Sequence, residues 1–159
     1  MKKTKEAFLW ITNLLKINKI RYQITGGFVA KIYGSSRGFD DIDILLSNNN
    51  LFQIKNLCTN TIYGPKRYKD KHFDVLLLTL NYENQEIDLI GADDRKIFDK
   101  SKNKWINKRK IDFNKSNIKE IFSKKVPIIP LNDLISIKKS LGRKKDLYDV
   151  LKILSQKPL

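Results

Sequence analysis

Apolar positions along this chain change their spacing from segment to segment, and each spacing predicts an element. Phe8, Ile11, Leu14 and Leu15 recur at helical intervals and predict a helix over 3–18. A short strand-like run, Tyr22-Gln23-Ile24-Thr25, predicts a strand over 21–25, with a helix after it over 27–33. The segment Asp41-Ile42-Asp43-Ile44-Leu45-Leu46 then alternates acid and aliphatic residues, the period of a strand (41–46) whose two faces differ in polarity. A helix over 51–59 and a strand over 72–80 follow. The polar tract Asn81-Tyr82-Glu83-Asn84-Gln85 reads as a turn, so a strand over 86–90 returns as its hairpin partner. Shorter strands are expected around 110–113, 118–123 and 126–129. Two helices, 131–140 and 143–155, close the chain, and Gly142 marks the break between them. The elements add up to an α/β (α+β) domain: a small mixed β-sheet flanked by helices, two of them C-terminal.

Two features of this pattern carry chemistry. Asp41 and Asp43 are two apart on a strand and therefore share a face, where two carboxylates repel unless a cation lies between them. A divalent metal with oxygen ligands, most often magnesium, resolves that repulsion and also engages phosphates. Upstream, Gly26-Gly27 ends one strand and opens a helix. A glycine turn there lets backbone N–H groups approach an anion closely. Taken singly, the glycines are equally a common turn, and Asp-Ile-Asp is equally the solvated face of an edge strand. Taken together they point to chemistry on a nucleoside triphosphate (NTP).

The stretch Gly26-Gly27 … Arg37-Gly38-Phe39-Asp40-Asp41-Ile42-Asp43-Ile44 resembles the signature of the DNA polymerase β-like nucleotidyltransferase superfamily. The similarity is to its small bacterial and archaeal single-domain members, including abortive-infection toxin-type and antibiotic-modifying ones. The resemblance implies a third carboxylate on a later strand, which Glu86-Ile87-Asp88-Leu89-Ile90 offers as Asp88, with Glu86 as the fallback on the same face. It implies that Asp41, Asp43 and Asp88 are catalytic and hold two magnesium ions. Gly26, Gly27 and Arg37 are implied as nucleotide-binding. A second block, Pro130 to Lys138 followed by Arg143-Lys144-Lys145-Asp146-Leu147-Tyr148-Asp149, resembles the C-terminal helices of the same enzymes. There the lysine corresponding to Lys138 reaches the nucleotide phosphates. Arg143, Asp146 and Asp149, spaced i, i+3, i+6, read equally as a salt-bridge ladder on one helix face. Phe39 stands where many members carry Thr or Ser.

Composition narrows the class. A chain of 159 residues can bury one core, so a single domain is expected: a catalytic part (1–94), a basic segment (95–125) and C-terminal helices (126–159). One cysteine, Cys58, and one histidine, His72, exclude an intramolecular disulfide and a zinc constellation. Cys58 is expected as core at the end of the helix 51–59. No apolar run reaches bilayer length, and the first residues lack a secretory h-region, so the expected location is cytoplasmic with no membrane partner.

Charge bears on the acceptor. The net charge of +15 is uneven: residues 95–125 hold twelve Lys/Arg against three acids, whereas 1–94 hold thirteen against eleven. Trp105, Phe113 and Phe122 are interleaved with that charge, as in surfaces that hold a nucleic-acid backbone and stack its bases. The expected activity is transfer of a nucleoside monophosphate from an NTP such as ATP to a hydroxyl on RNA (a tRNA 3′ end among the candidates), with release of pyrophosphate. The alternatives are the same transfer to an antibiotic or a protein side chain, and a catalytically silent nucleic-acid-binding domain.

Overall fold

The structure is a computed structural model that describes residues 1–108 and 110–156. Arg109, inside the basic segment, and residues 157–159 lie outside the described residues. Five helices and nine strands alternate in it: α1 (Lys2–Ile17), β1 (Tyr22–Thr25), α2 (Gly26–Ile32), β2 (Asp41–Leu46), α3 (Asn48–Leu57), β3 (Thr61–Lys69), β4 (Phe73–Tyr82), β5 (Gln85–Gly91), β6 (Lys96–Asp99), β7 (Lys104–Asn107), β8 (Asn117–Ile121), β9 (Lys124–Ile128), α4 (Leu131–Leu141) and α5 (Lys144–Ser155). All nine strands join one mixed sheet in the order β7-β6-β4-β5-β2-β1-β9-β8, with β3 paired to β4 off that path. The α/β class and the mixed sheet are as expected, and the sheet is larger than expected. Strands β3, β6 and β7 are the additions. The strand expected around 110–113 does not form; Phe113–Lys115 is a short 3-10 turn instead, where the Asp112 carboxylate accepts from the Asn114 N–H.

Hairpin chemistry fixes the register around the acids. Between β4 and β5 only Glu83 and Asn84 turn the chain, both in the left-handed region (φ 47° and 66°), as a two-residue turn of primed type requires. That turn sets Thr79 opposite Asp88 and Leu77 opposite Ile90. On its other side β5 runs parallel to β2, with Asp88 beside Asp43 and Ile90 beside Leu45. The sheet therefore carries a polar row, Asp43–Asp88–Thr79, and two residues further along the strands an apolar row, Leu45–Ile90–Leu77.

The opposite face holds the main core. Ile24, Ile42, Ile44, Leu46, Ile87 and Leu89 pack there against Phe8, Ile11 and Leu15 of α1 and Leu51 and Ile54 of α3, all essentially inaccessible to solvent. Burial of this order contributes roughly 1.5–3 kcal/mol per large aliphatic side chain and anchors the face opposite the polar row. Phe122 joins this core, edge-on to Phe8 at 5.5 Å and stacked on Phe28 at 6.5 Å. One of the three aromatics expected to stack bases is thus spent on packing. Cys58 is buried just past the end of α3. No helix among the described residues is long and apolar enough to cross a membrane.

Candidate active site

Residues of six strands (β1–β6) and three helices (α2, α4 and α5) line one cavity of about 410 Å³. Its lining includes Gly26 and Gly27 at the start of α2, Asp41 and Asp43 on β2, Asp88 on β5, and Lys138, Lys145 and Asp146 from the C-terminal helices. The seven residues expected to be catalytic or nucleotide-binding, Arg37 included, therefore line a single space, and Glu86, the fallback carboxylate, does not.

Carboxylate oxygens of Asp41, Asp43 and Asp88 lie within 4.8 Å of one another. Burial and mutual repulsion make their ionisation costly. Asp43 is pushed well above the usual carboxylate range, first by desolvation and then by the charges of Asp41 and Asp88. Burial likewise raises Asp41. Burial brings Asp88 to about 6, even though the Thr79 hydroxyl donates to its Oδ1 at 2.6 Å and favours the charged form. Three converging oxygens with no cation side chain bonded to them among the described residues suit a hard divalent ion, which would supply the missing positive charge.

Gly26 is dictated by this cluster. Its φ of +74° lies in the left-handed region, and a Cβ built there would fall 1.7 Å from Asp43 Oδ2. Gly26→Ala should therefore displace the Asp43 carboxylate and abolish metal-dependent stabilisation of the protein, which thermal denaturation with and without magnesium would show. An unchanged magnesium response in that variant would contradict the geometry.

The C-terminal helices supply a buried charge cluster. Lys138 is 4% exposed, and its ammonium donates to Asp149 Oδ2 at 2.8 Å and Asp146 Oδ1 at 3.2 Å. Asp149 also accepts two bonds from the Arg37 guanidinium, at 3.1 and 3.0 Å, and one from Ser35 Oγ at 2.6 Å. Burial opposes its ionisation, but the bonds from Arg37, Lys138 and Ser35 prevail and hold it at about 2. Arg143 pairs with Asp146 one helical turn away. Of the two alternatives for Arg143, Asp146 and Asp149, the pair Arg143–Asp146 is a salt bridge along α5, while Asp149 reaches α4 and the loop before β2. Arg37 and Lys138 line the cavity with their charges already engaged.

A cation that sequence reasoning missed is Lys145, at the start of α5. It lines the cavity and has no ion-pair partner among the described residues, and its charge lowers the pKa of both Asp41 and Asp43. Only the block Arg-Lys-Lys-Asp hinted at it, and nothing in that run separates Lys144 from Lys145. The apolar row Leu45–Ile90–Leu77 also lines the cavity, facing Leu134, Ile137 and Leu141 of α4.

No protein-family model matches the sequence, and no curated protein does. Among solved structures, one similar fold is a Thermotoga maritima protein provisionally classed as a nucleotidyltransferase: TM-score 0.70, 18% identity, 96% of this chain and 92% of that one covered. Another is the lincosamide antibiotic adenylyltransferase LnuA in its lincomycin-bound form, with TM-score 0.58, 13% identity, and 96% and 97% coverage. At these identities the likeness establishes the architecture: the chain has the nucleotidyltransferase fold.

Proposed function

We propose that this protein is a metal-dependent nucleotidyltransferase, moving a nucleoside monophosphate from an NTP to an acceptor hydroxyl and releasing pyrophosphate. The observation that carries this reading is the cluster of Asp41, Asp43 and Asp88, whose oxygens converge within 4.8 Å beside a glycine turn with no room for a side chain. Asp41 and Asp43 would hold two magnesium ions, Asp88 sharing one of them. Bound there, the ions would offset triphosphate charge and make the acceptor hydroxyl more acidic.

The chain's own residues do the rest. Gly26 and Gly27 allow close approach of the phosphates, and Lys145 offers them an uncommitted charge. Arg37 and Lys138 add positive potential from the side; either could turn to the phosphates only by leaving Asp149. Asp88 would accept the proton of the attacking hydroxyl as general base. Thr79 steadies that carboxylate.

Two acceptors are favoured by different observations. The apolar row Leu45–Ile90–Leu77, one step from the acids, suits a small hydroxylated molecule with an apolar body, as an antibiotic would be. The excess charge of 95–125 suits RNA. Part of that segment, Arg95, Lys108, Lys110 and Lys115, lines a neighbouring cavity, whereas β8 ends the strand order on one side and β7 on the other. The apolar row beside the acids favours the small acceptor. Incubation with each α-labelled NTP, magnesium, and either cellular RNA or a small-molecule extract decides between them. Label should appear in one pool with the wild type and in neither with Asp41→Ala/Asp43→Ala; label in either pool with the double variant would refute the reading.

The pKa shifts also predict a pH dependence. An acid whose folded pKa is raised holds a proton, when folded, that the unfolded chain has already lost. Its contribution to stability is thus fully present below the unfolded pKa and lost as pH rises through the folded value, about 6 for Asp88. Asp149 works in the opposite sense, but only as pH falls toward about 2. Metal-free wild type should therefore gain stability between pH 7.5 and pH 5 relative to Asp88→Asn, measured by urea midpoints. Parallel pH profiles for the two proteins would contradict the placement of Asp88.

A further inference from the structure

A second cavity, of about 520 Å³, lies along the same face of the sheet. Arg95 and Ile137 line both cavities, so the two spaces meet there. On β1, Thr25 lines the acid cavity and Gln23, two residues back, lines the second. That step is about 6–7 Å along a strand. The second space therefore begins roughly one apolar row away from the carboxylates.

Its charges are out of balance. Arg95, Lys108, Lys110 and Lys115 line it, against Asp112 and Asp133. None of those four cations has an ion-pair partner among the described residues. Arg95 Nε is one of only two buried side-chain polar atoms, among the described residues, with no hydrogen-bond partner. Buried polar groups are paired in the great majority of cases, so such an orphan calls for an explanation. Burial brings Arg95 down to about 10, with Asp133 only partly compensating, and desolvation plus the charge of Arg95 lower Lys108 as well. Two cations crowded in a sheltered space cost free energy that an anion between them would recover.

We propose that this second cavity is an anion site, holding a phosphate group of the acceptor while the acceptor's hydroxyl lies at Asp88. The assignment to the acceptor rests on the transfer reading above; the anion site itself does not. The nucleotide's own phosphates belong beside Gly26, Gly27 and Lys145, none of which lines the second cavity. A dianion matches the net excess of two positive charges, and forked guanidinium donors suit phosphate oxygens.

Thermal denaturation of the metal-free protein, without nucleotide, tests this by titrating inorganic phosphate against chloride at equal ionic strength. The wild type should gain roughly 5–10 °C at a hundredfold excess over Kd. Arg95→Met should lose the gain and, in chloride alone, melt no lower than the wild type, because it removes an unpartnered cation. Lys108→Met provides the same test should Arg95→Met fail to fold. Lys145→Ala should keep the response. No response beyond chloride in the wild type would overturn the proposal. So would loss of the response in Lys145→Ala with retention in Arg95→Met, which would put the phosphate at the nucleotide site. Replacing phosphate by a short oligoribonucleotide or by glycerol 3-phosphate identifies the source. An Arg95-dependent gain with either supports the proposal, and a gain with neither overturns its assignment to the acceptor. Magnesium-dependent NTP binding, measured separately, shows whether the transfer reading survives.

Discussion

Asp43→Asn should reduce nucleotidyl transfer by roughly 10³-fold or more while raising the melting temperature of the metal-free protein. The two effects share one cause. Asp43 is one of three converging acids, its charge disfavoured first by burial and then by the charges of Asp41 and Asp88. Loss of one cation ligand removes several kcal/mol of charge stabilisation at the triphosphate, and about 4 kcal/mol corresponds to that factor in rate. Without the ion, the same carboxylate is a liability. Its removal should stabilise the apo-protein by about 1–3 kcal/mol, which amounts to about 2–4 °C per kcal/mol for a chain of this length. Magnesium should then stabilise the wild type and leave the variant unchanged. A variant that is inactive and also less stable without metal would mean that Asp43 is held by something other than repulsion and a missing ion.

The second large effect lies in the charge cluster. Lys138→Met should destabilise the protein by about 3–5 kcal/mol, the usual cost of stripping one partner from buried charges. Asp146 and Asp149 are 1% and 0% exposed, so neither can turn to water when the ammonium is gone. Adding Asp146→Asn removes one of the two acids that Lys138 serves, at the cost of the Arg143 pair, while Asp149 keeps its two bonds from Arg37, so the double variant should lose less than the sum of the singles. Urea denaturation of the two single variants and the double variant gives the coupling directly. Additive losses would show that Lys138 and Asp146 act independently. A Lys138→Met protein of wild-type stability with weakened NTP binding would instead assign Lys138 wholly to the phosphates.

The acids were legible because strand alternation is a local property. Asp41 and Asp43 share a face for any strand, and Asp88 between two aliphatic residues has the same signature. Gly142 was equally readable: it takes φ +59° and stops α4, where its N–H bonds the Lys138 carbonyl. Strand β3 was not readable. Its sequence, Thr61-Ile62-Tyr63-Gly64-Pro65-Lys66-Arg67-Tyr68-Lys69, contains glycine and proline and lacks a buried alternation, as fits a strand bonded only to β4. Strands β6 and β7 are four residues each, too short for a periodicity to register. The partners of Lys138 were illegible for a different reason. Asp146 and Asp149 lie eight and eleven residues away on another helix, and only the packing of α4 on α5 brings them together. The same holds for Lys145 and Arg95, whose roles depend on which wall of which cavity they reach.

Nucleotidyl transfer by this protein requires a metal-dependent nucleotide site. Isothermal titration of each NTP into the purified protein, with magnesium and then with a chelator, measures it without knowledge of the acceptor. The predicted result is NTP binding to the wild type that requires magnesium and disappears in Asp41→Ala/Asp43→Ala. NTP binding that persists in the chelator or in the double variant would contradict it, as would no binding of any NTP in the presence of magnesium.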